Sequence, residues 1–205
     1  MATAAALGKS ERAGRKPVTS KAELSHTALV LFDRKGFDQV TVDEIAAAAG
    51  IGRRTFFRYF PSKNDLPWGD FEELLARMDG YLDSLPETVP LASALCNAVI
   101  EFNRLPPEEV PYHRQRMELL LGVPTLLAHS TLRYAAWRQV VARFAGKRLD
   151  LPESSLKPQA IAWALLGLCL AAYEQWLETT DTELTGILQE SLKLFPDVLE
   201  GQTEE

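Results

Sequence analysis

The 205-residue chain gathers its densest set of recognition groups in one short stretch: Arg53, Arg54, Thr55 and Arg58 fall within six consecutive residues. Three guanidinium forks and a hydroxyl on two helical turns can bond guanine edges or phosphate oxygens. Such groups need a rigid support, and the spacing predicts one. Thr41-Val-Asp-Glu44 is a capping box that opens a short helix over 42–49. Gly50 stops it, and Ile51-Gly52 turns the chain into a second helix over 53–59, a helix-turn-helix pattern. The small residues Ala46 to Ala49 let the two helices approach closely. Ile45, Ile51, Phe56 and Phe60 predict an apolar face that packs, with Phe32 and Phe37, on a helix running from Ser20 to a left-handed cap at Gly36. The arginines then face outward. The same pattern also serves as a plain structural corner with solvated charge, so the motif alone leaves both readings open.

Charge separates the two ends of the chain. Residues 1–63 hold eleven Lys/Arg and six Asp/Glu, a net +5, and the remainder is −11, against −6 for the whole. A basic head on an acidic body implies a polyanion partner for the head only, with uneven solvated charge as the bland alternative. Residues 1–19, rich in Ala, Lys and Arg without a period, read as a mobile basic arm. Hydrophobic residues at 46% and charged ones at 24% exclude a wholly disordered or collagen-like chain. The longest nearly uncharged apolar run, 161–173, is shorter than the roughly 20 residues a bilayer span needs. Residues 1–8 carry no apolar stretch of signal-peptide length, and Cys96 and Cys169 lie far apart in apolar helical patterns. A reduced cytoplasmic protein, without disulfide or membrane, is the expectation.

Beyond the head the pattern stays helical. One long helix is expected over 62–85, with Leu66, Phe71, Leu74, Leu75, Met78 and Leu82 on its buried side. Further helices are expected over 91–103, 111–121, 124–148, 156–177 and 182–199, each starting near Pro, Ser or Thr. No period-two alternation occurs, so the fold class is all-α: an arm (1–19), a three-helix head (20–65) and a helical body (66–200). Trp68, Phe71, Leu75, Met78, Phe102, Met117 and Leu120, with Tyr134, Trp137, Trp163, Leu166 and Tyr173, read either as ordinary core or as the lining of a cavity. His113, Arg116, His129 and Arg133 are its candidate polar groups. Paired carboxylates with aromatic support, a Gly-rich phosphate loop, a nucleophile elbow and metal-ligand spacing are all missing from the pattern. No enzyme activity, metal or cofactor is expected. The segment 161–173 is apolar around its circumference and cannot carry a solvated face. Its cover is either a twin copy, packed with the 182–199 helix, or the interior of a monomeric bundle.

The pattern Thr41-x-x-x-Ile45-Ala46-x-x-Ala49-Gly50-Ile51-Gly52-x-x-Thr55-Phe56-Phe57-x-Tyr59-Phe60-x-x-Lys63-x-x-Leu66 resembles the DNA-binding domain of tetracycline-repressor-type (TetR-family) transcriptional regulators. Stretches 50–65, 67–71 and 128–138 resemble the mycofactocin-system regulators, a subgroup linked to a peptide-derived redox cofactor. The resemblance implies that Arg53, Arg54 and Thr55 face base edges or adjacent phosphates, and Arg58 shares their outward face of the helix. It implies that Thr41, Tyr59 and Lys63 clamp the DNA backbone and that Arg15 and Lys16 lie in an arm along the duplex. Phe57 departs from the tyrosine frequent at its position, which puts a phosphate bond there in doubt. It further implies a homodimer through the last two helices, a palindromic operator and an apolar or amphipathic effector in the body. A long-chain acyl-CoA is one candidate, with Arg114, Arg116 or Arg133 at its headgroup. A repressor released by that effector is the expectation; a nonspecific architectural DNA-binding protein without an effector is the alternative.

Overall fold

The computed structural model describes residues 19–180 and 182–196, and among these every regular element is helical. The head holds α1 (Lys21–Lys35), α2 (Val42–Ala48) and α3 (Arg53–Tyr59). The body holds α4 (Phe71–Ser84), α5 (Leu91–Phe102), α6 (Val110–Gly122), α7 (Pro124–Leu149), α8 (Leu156–Glu178) and α9 (Leu184–Leu192). The expected arm, with Arg15 and Lys16, lies outside the described residues except for Thr19. Thr19 is a correction to that boundary: it is buried, and its carbonyl accepts from the Tyr59 hydroxyl at 2.8 Å.

Local chemistry explains the head. Ser20 and Glu23 form a reciprocal capping box at the start of α1, and Thr41 and Glu44 do the same for α2. Gly36 ends α1 with φ 82° and ψ 147°, a positive φ but not the left-handed helical cap expected. Gly50, at φ 65°, lets its own amide reach Ala47 O while the Ile51 amide reaches Ala46 O, so the chain reverses within a few residues. Ile45, Phe56, Phe60, Phe32 and Phe37 are all buried, and the Phe32 and Phe37 rings pack tilted at 56° with centroids 4.9 Å apart.

The expected single helix over 62–85 is two elements. A 3-10 turn spans Lys63–Trp68, and α4 begins only at Phe71. Pro67 supplies no amide to the ladder, and Gly69 at φ 58° and ψ −133° takes a conformation that side chains resist. The apolar residues continue at helical spacing across the break, and that concealed it.

In the body α8 packs between α7 and α9, and α4 lies along α5 and α7. α6 touches α1, the 3-10 turn, α7 and α8, so it bridges head and body. By length and composition alone α8 could cross a bilayer, which the shorter run 161–173 did not anticipate. Its residues Ile161, Leu165, Cys169, Ala172 and Trp176 are buried inside the chain. Leu156, Ala160, Trp163, Gly167 and Ala171 instead form one exposed stripe at helical spacing. The last helix is shorter than the expected 182–199: α9 stops at Leu192, a turn follows, and Phe195 is buried again. Residues 197–199 lie outside the described residues.

Candidate nucleic-acid interface and internal cavity

On α3, Arg53, Arg54 and Arg58 are exposed while Thr55 and Tyr59 are half-buried. Arg53 donates from Nη1 to both carboxylate oxygens of Asp43, each at 2.9 Å. Its guanidinium also stands 5.4 Å from the centroid of the Phe57 ring, which is 44% exposed. Arg58 lies at the same distance from the Tyr59 ring. Among the described residues Arg54 makes no side-chain hydrogen bond or ion pair, so its fork faces outward unengaged. The polar ends of two expected clamps serve the head itself. Tyr59 bonds the Thr19 carbonyl, and Lys63 donates to the Phe37 and Val40 carbonyls at 2.8 and 3.0 Å. Lys63 keeps a third N–H to offer. The Thr41 hydroxyl accepts from the Glu44 amide and donates to the Glu44 carboxylate at 2.9 Å. Lys35 and this cap hold the Glu44 carboxyl down at about 2, so it stays ionised beside the basic face.

The cavity has two compartments. A cleft of about 750 Å³ opens between α1, α4 and the connection from α5 to α6. Next to it lies an apolar chamber of about 100 Å³ walled by α4 to α8, and Trp68, Leu74, Phe102, Leu105 and Arg116 border both. Nine of the twelve expected lining residues meet in the chamber: Trp68, Phe71, Phe102, Met117, Leu120, Tyr134, Trp137, Leu166 and Tyr173. Met78 lines the cleft instead. Leu75 and Trp163 are corrections. Leu74 takes the place of Leu75, because one position along a helix rotates a side chain by about 100°. Trp163 is 57% exposed on the outer stripe of α8, with the Arg138 guanidinium 3.6 Å from its ring centroid.

One wall of the chamber is polar. Tyr173 donates its hydroxyl proton to Asn103 Oδ1 and accepts from His113 Nε2 at 3.3 Å, while Asn103 Nδ2 donates to Val99 O at 2.8 Å. Burial pulls the His113 pKa down to about 3, so the imidazole is neutral. Burial likewise pushes the Cys96 thiol up to about 11 and the Cys169 thiol to about 12. Of the other polar candidates, Arg116 is at the cavity, whereas Arg114 caps the end of α8 through the carbonyls of Trp176 and Thr179.

His129 and Arg133 belong to a different place, the joint between head and body. Asp65, 5% exposed, accepts from Arg133 Nη2 at 2.8 Å and His129 Nε2 at 3.0 Å, both from α7. Its other oxygen accepts from the Ser62 amide and hydroxyl, capping the 3-10 turn. Burial pushes the Asp65 pKa up, but the bonds from Ser62, Arg133 and His129 outweigh it and the net direction is down. Ser25 of α1 donates to Leu66 O at 2.8 Å in the same buried joint. Sequence reasoning missed this hub, although Ser62-x-x-Asp65 is itself a capping-box pattern. The hub lies three residues from Trp68, which stacks edge-on against Tyr134 at 5.7 Å. The chamber wall and the joint therefore share one short segment.

Comparison with known proteins agrees with both halves. Residues 24–66 match the family described as bacterial regulatory proteins, tetR family, and residues 89–200 match the MftR C-terminal domain. The chain is 44% identical over 177 residues to a Mycobacterium tuberculosis protein named as a mycofactocin biosynthesis transcriptional regulator, MftR, covering 86% of this chain and 89% of the relative. Among solved structures, FadR of Thermus thermophilus in complex with lauroyl-CoA shares the fold at TM-score 0.54 and 22% identity, over 90% of this chain and 96% of that one. The fatty acid degradation regulator FadR of Bacillus halodurans does so at TM-score 0.59 and 17% identity, over 90% and 97%.

Proposed function

The chain belongs to the TetR family of DNA-binding transcriptional regulators, with an MftR-type C-terminal domain, and from that premise we propose that it is a ligand-released repressor of a palindromic operator. The carrying observation is that the chamber wall and the Asp65 joint are parts of the same segment, 63–71. A ligand that parts Trp68 from Tyr134 acts on the 3-10 turn that Asp65 ties to α7. The head rests on that turn through α1, so α3 moves with it. The break at Gly69 makes the lever the short turn rather than one long helix.

The DNA contacts are Arg53, Arg54, Thr55 and Arg58 on α3, with Thr41, Tyr59, Lys63, Arg15 and Lys16 on the backbone. Two copies pair through the exposed stripe of α8 and through α9, where Gly167 and Ala171 permit close approach and Leu156 and Trp163 supply apolar area. The pair presents its α3 helices to grooves about 34–36 Å, or a small multiple, apart. The protein acts in the cytoplasm, where its operator is. The effector is apolar or amphipathic, and a long-chain acyl-CoA suits a narrow greasy chamber opening into a larger charged cleft. The lauroyl-CoA bound to the Thermus protein supports that choice.

The test is an anisotropy titration of a promoter fragment of mycofactocin biosynthesis genes, at fixed salt, with and without a long-chain acyl-CoA. Saturating effector should weaken operator binding by about 5- to 150-fold, the usual span of such couplings. Equal affinity for promoter and random duplex would instead favour an architectural protein. Operator affinity unchanged by ligand would reject that compound as the inducer.

A further inference from the structure

Arg116 of α6 carries a charge that the folded chain leaves uncompensated. It stands on the boundary between chamber and cleft. Its Nε is sealed from solvent and has no acceptor, and among the described residues no carboxylate lies within 4.0 Å of it. Two other cations of the cleft are matched. Lys21 pairs with Asp70 at 2.9 Å and Arg104 with Glu101 at 2.8 Å. Glu109, the acid whose field reaches Arg116, gives its oxygen to His26 at 3.1 Å. Two neighbouring arginines show how this chain treats a half-buried guanidinium. Arg114 has carbonyl acceptors and Arg133 has Asp65 and Glu72. Arg116 has neither. Burial lowers its pKa, so the site resists the charge it holds. A guanidinium does not escape by deprotonating, so the resistance persists until an anion arrives. Nη2 lies 3.8 Å from where a Cβ on Gly69 would stand, against the break between the 3-10 turn and α4.

We propose that Arg116 is the anion receptor of the effector site, and that the effector is an amphipathic acid: its apolar end enters the chamber and its carboxylate or phosphate pairs with Arg116 at the cleft. This rests on the effector reading and sharpens it to a charge requirement. Two sources supply the anion. A free fatty acid needs Arg116 alone, whereas a phosphorylated headgroup runs further along the cleft and reaches Arg77, which makes no ion pair among the described residues. Because the pairing is made beside Gly69, binding the acid pulls on the hinge that positions the head.

Quenching of Trp68 and Trp137 fluorescence reads binding of dodecanoate, lauroyl-CoA and uncharged dodecanol to the wild-type dimer, Arg116→Gln, Arg116→Lys and Arg77→Ala. The wild type should prefer at least one acid over dodecanol by about tenfold or more, the size of one charge-assisted bidentate bond. Arg116→Gln should abolish that preference and leave dodecanol affinity within about threefold, while Arg116→Lys restores part of it. Arg77→Ala should weaken lauroyl-CoA and spare dodecanoate if the headgroup is the source, and spare both if it is a free acid. Removing an uncompensated charge should also raise the Tm of the ligand-free protein, so a misfolded or less stable Arg116→Gln overturns the inference. So does a wild type indifferent to charge, or an Arg116→Gln that keeps the preference; either leaves an apolar effector standing. Failure of all three compounds to bind removes the effector reading and this inference together.

Discussion

The two working regions of this molecule are built inside out relative to each other. The head turns apolar residues inward and shows its arginines to solvent, with Arg54 unengaged and Arg53 lightly held by Asp43. The body turns polar groups inward: Asn103, Tyr173 and His113 line a chamber otherwise made of Trp, Phe, Leu and Met. A surface that meets a polyanion needs charge in water, where it costs little to keep. A chamber that selects a small molecule needs few polar groups in a dry wall, where each one discriminates strongly. Asp65 sits where the two designs touch, and substitutions there and on either side can break the comparison.

The largest effect is expected at the joint. Asp65→Asn removes the carboxylate that Arg133 and His129 share and leaves the Arg133 cation short of a partner, at about 3 kcal/mol of stability. Urea unfolding should show that loss. Operator binding by the folded variant should also respond less to effector than the wild type does. A wild-type response would mean that the head is moved by another route. Next comes Arg54→Ala, expected to cost about 1–3 kcal/mol on the operator and less on random duplex, as for a side chain that touches bases. Equal losses on both would move Arg54 to the phosphates. Lys63→Ala should weaken both duplexes alike and, because it also strips the Phe37 and Val40 carbonyls of a donor, lower the melting temperature.

The smallest effect is a pH slope in the body. His113 is held neutral, with its pKa depressed from 6.5 to about 3. The unfolded chain therefore binds a proton that the folded chain refuses, and stability falls as pH drops from 6.5 toward 3. Asp65, with a lowered pKa, adds stability that is present above the ordinary carboxylate range and lost as pH falls through its folded value. Both slopes point the same way. Urea midpoints at pH 7.5 and about 5.5 separate them, since of these two groups only His113 has a reference pKa, the unfolded chain's 6.5, inside that window. His113→Gln should flatten the slope, and a slope unchanged in that variant would assign it elsewhere.

The head was legible because its signals are local. The capping box at Thr41, a glycine at the turn and arginines beside phenylalanines all act within a few residues of one another, so type and spacing suffice. The break at Gly69 escaped for the opposite reason. Trp68, Phe71, Leu74 and Met78 keep helical spacing across it, and periodicity registers which residues are apolar but not which backbone turns over. The chamber was half legible: Trp68, Phe71, Tyr134 and Trp137 were named as candidate lining, but their types fit ordinary core equally well. Whether a given ring lines a cavity or faces out, as Trp163 does, depends on helix rotation set by neighbours far along the chain.

Sequence alone therefore determined the all-helical class, the helix pair and turn of the head and the split of charge between basic head and acidic body, since each follows from residues close in order. Tertiary structure alone decided that Asp65 meets Arg133 and His129, that Leu74 rather than Leu75 faces the cavity, and that Arg116 is left without a counter-ion. Those outcomes depend on side chains from separate helices arriving at one point, and the distance between them is set by packing rather than by spacing along the chain.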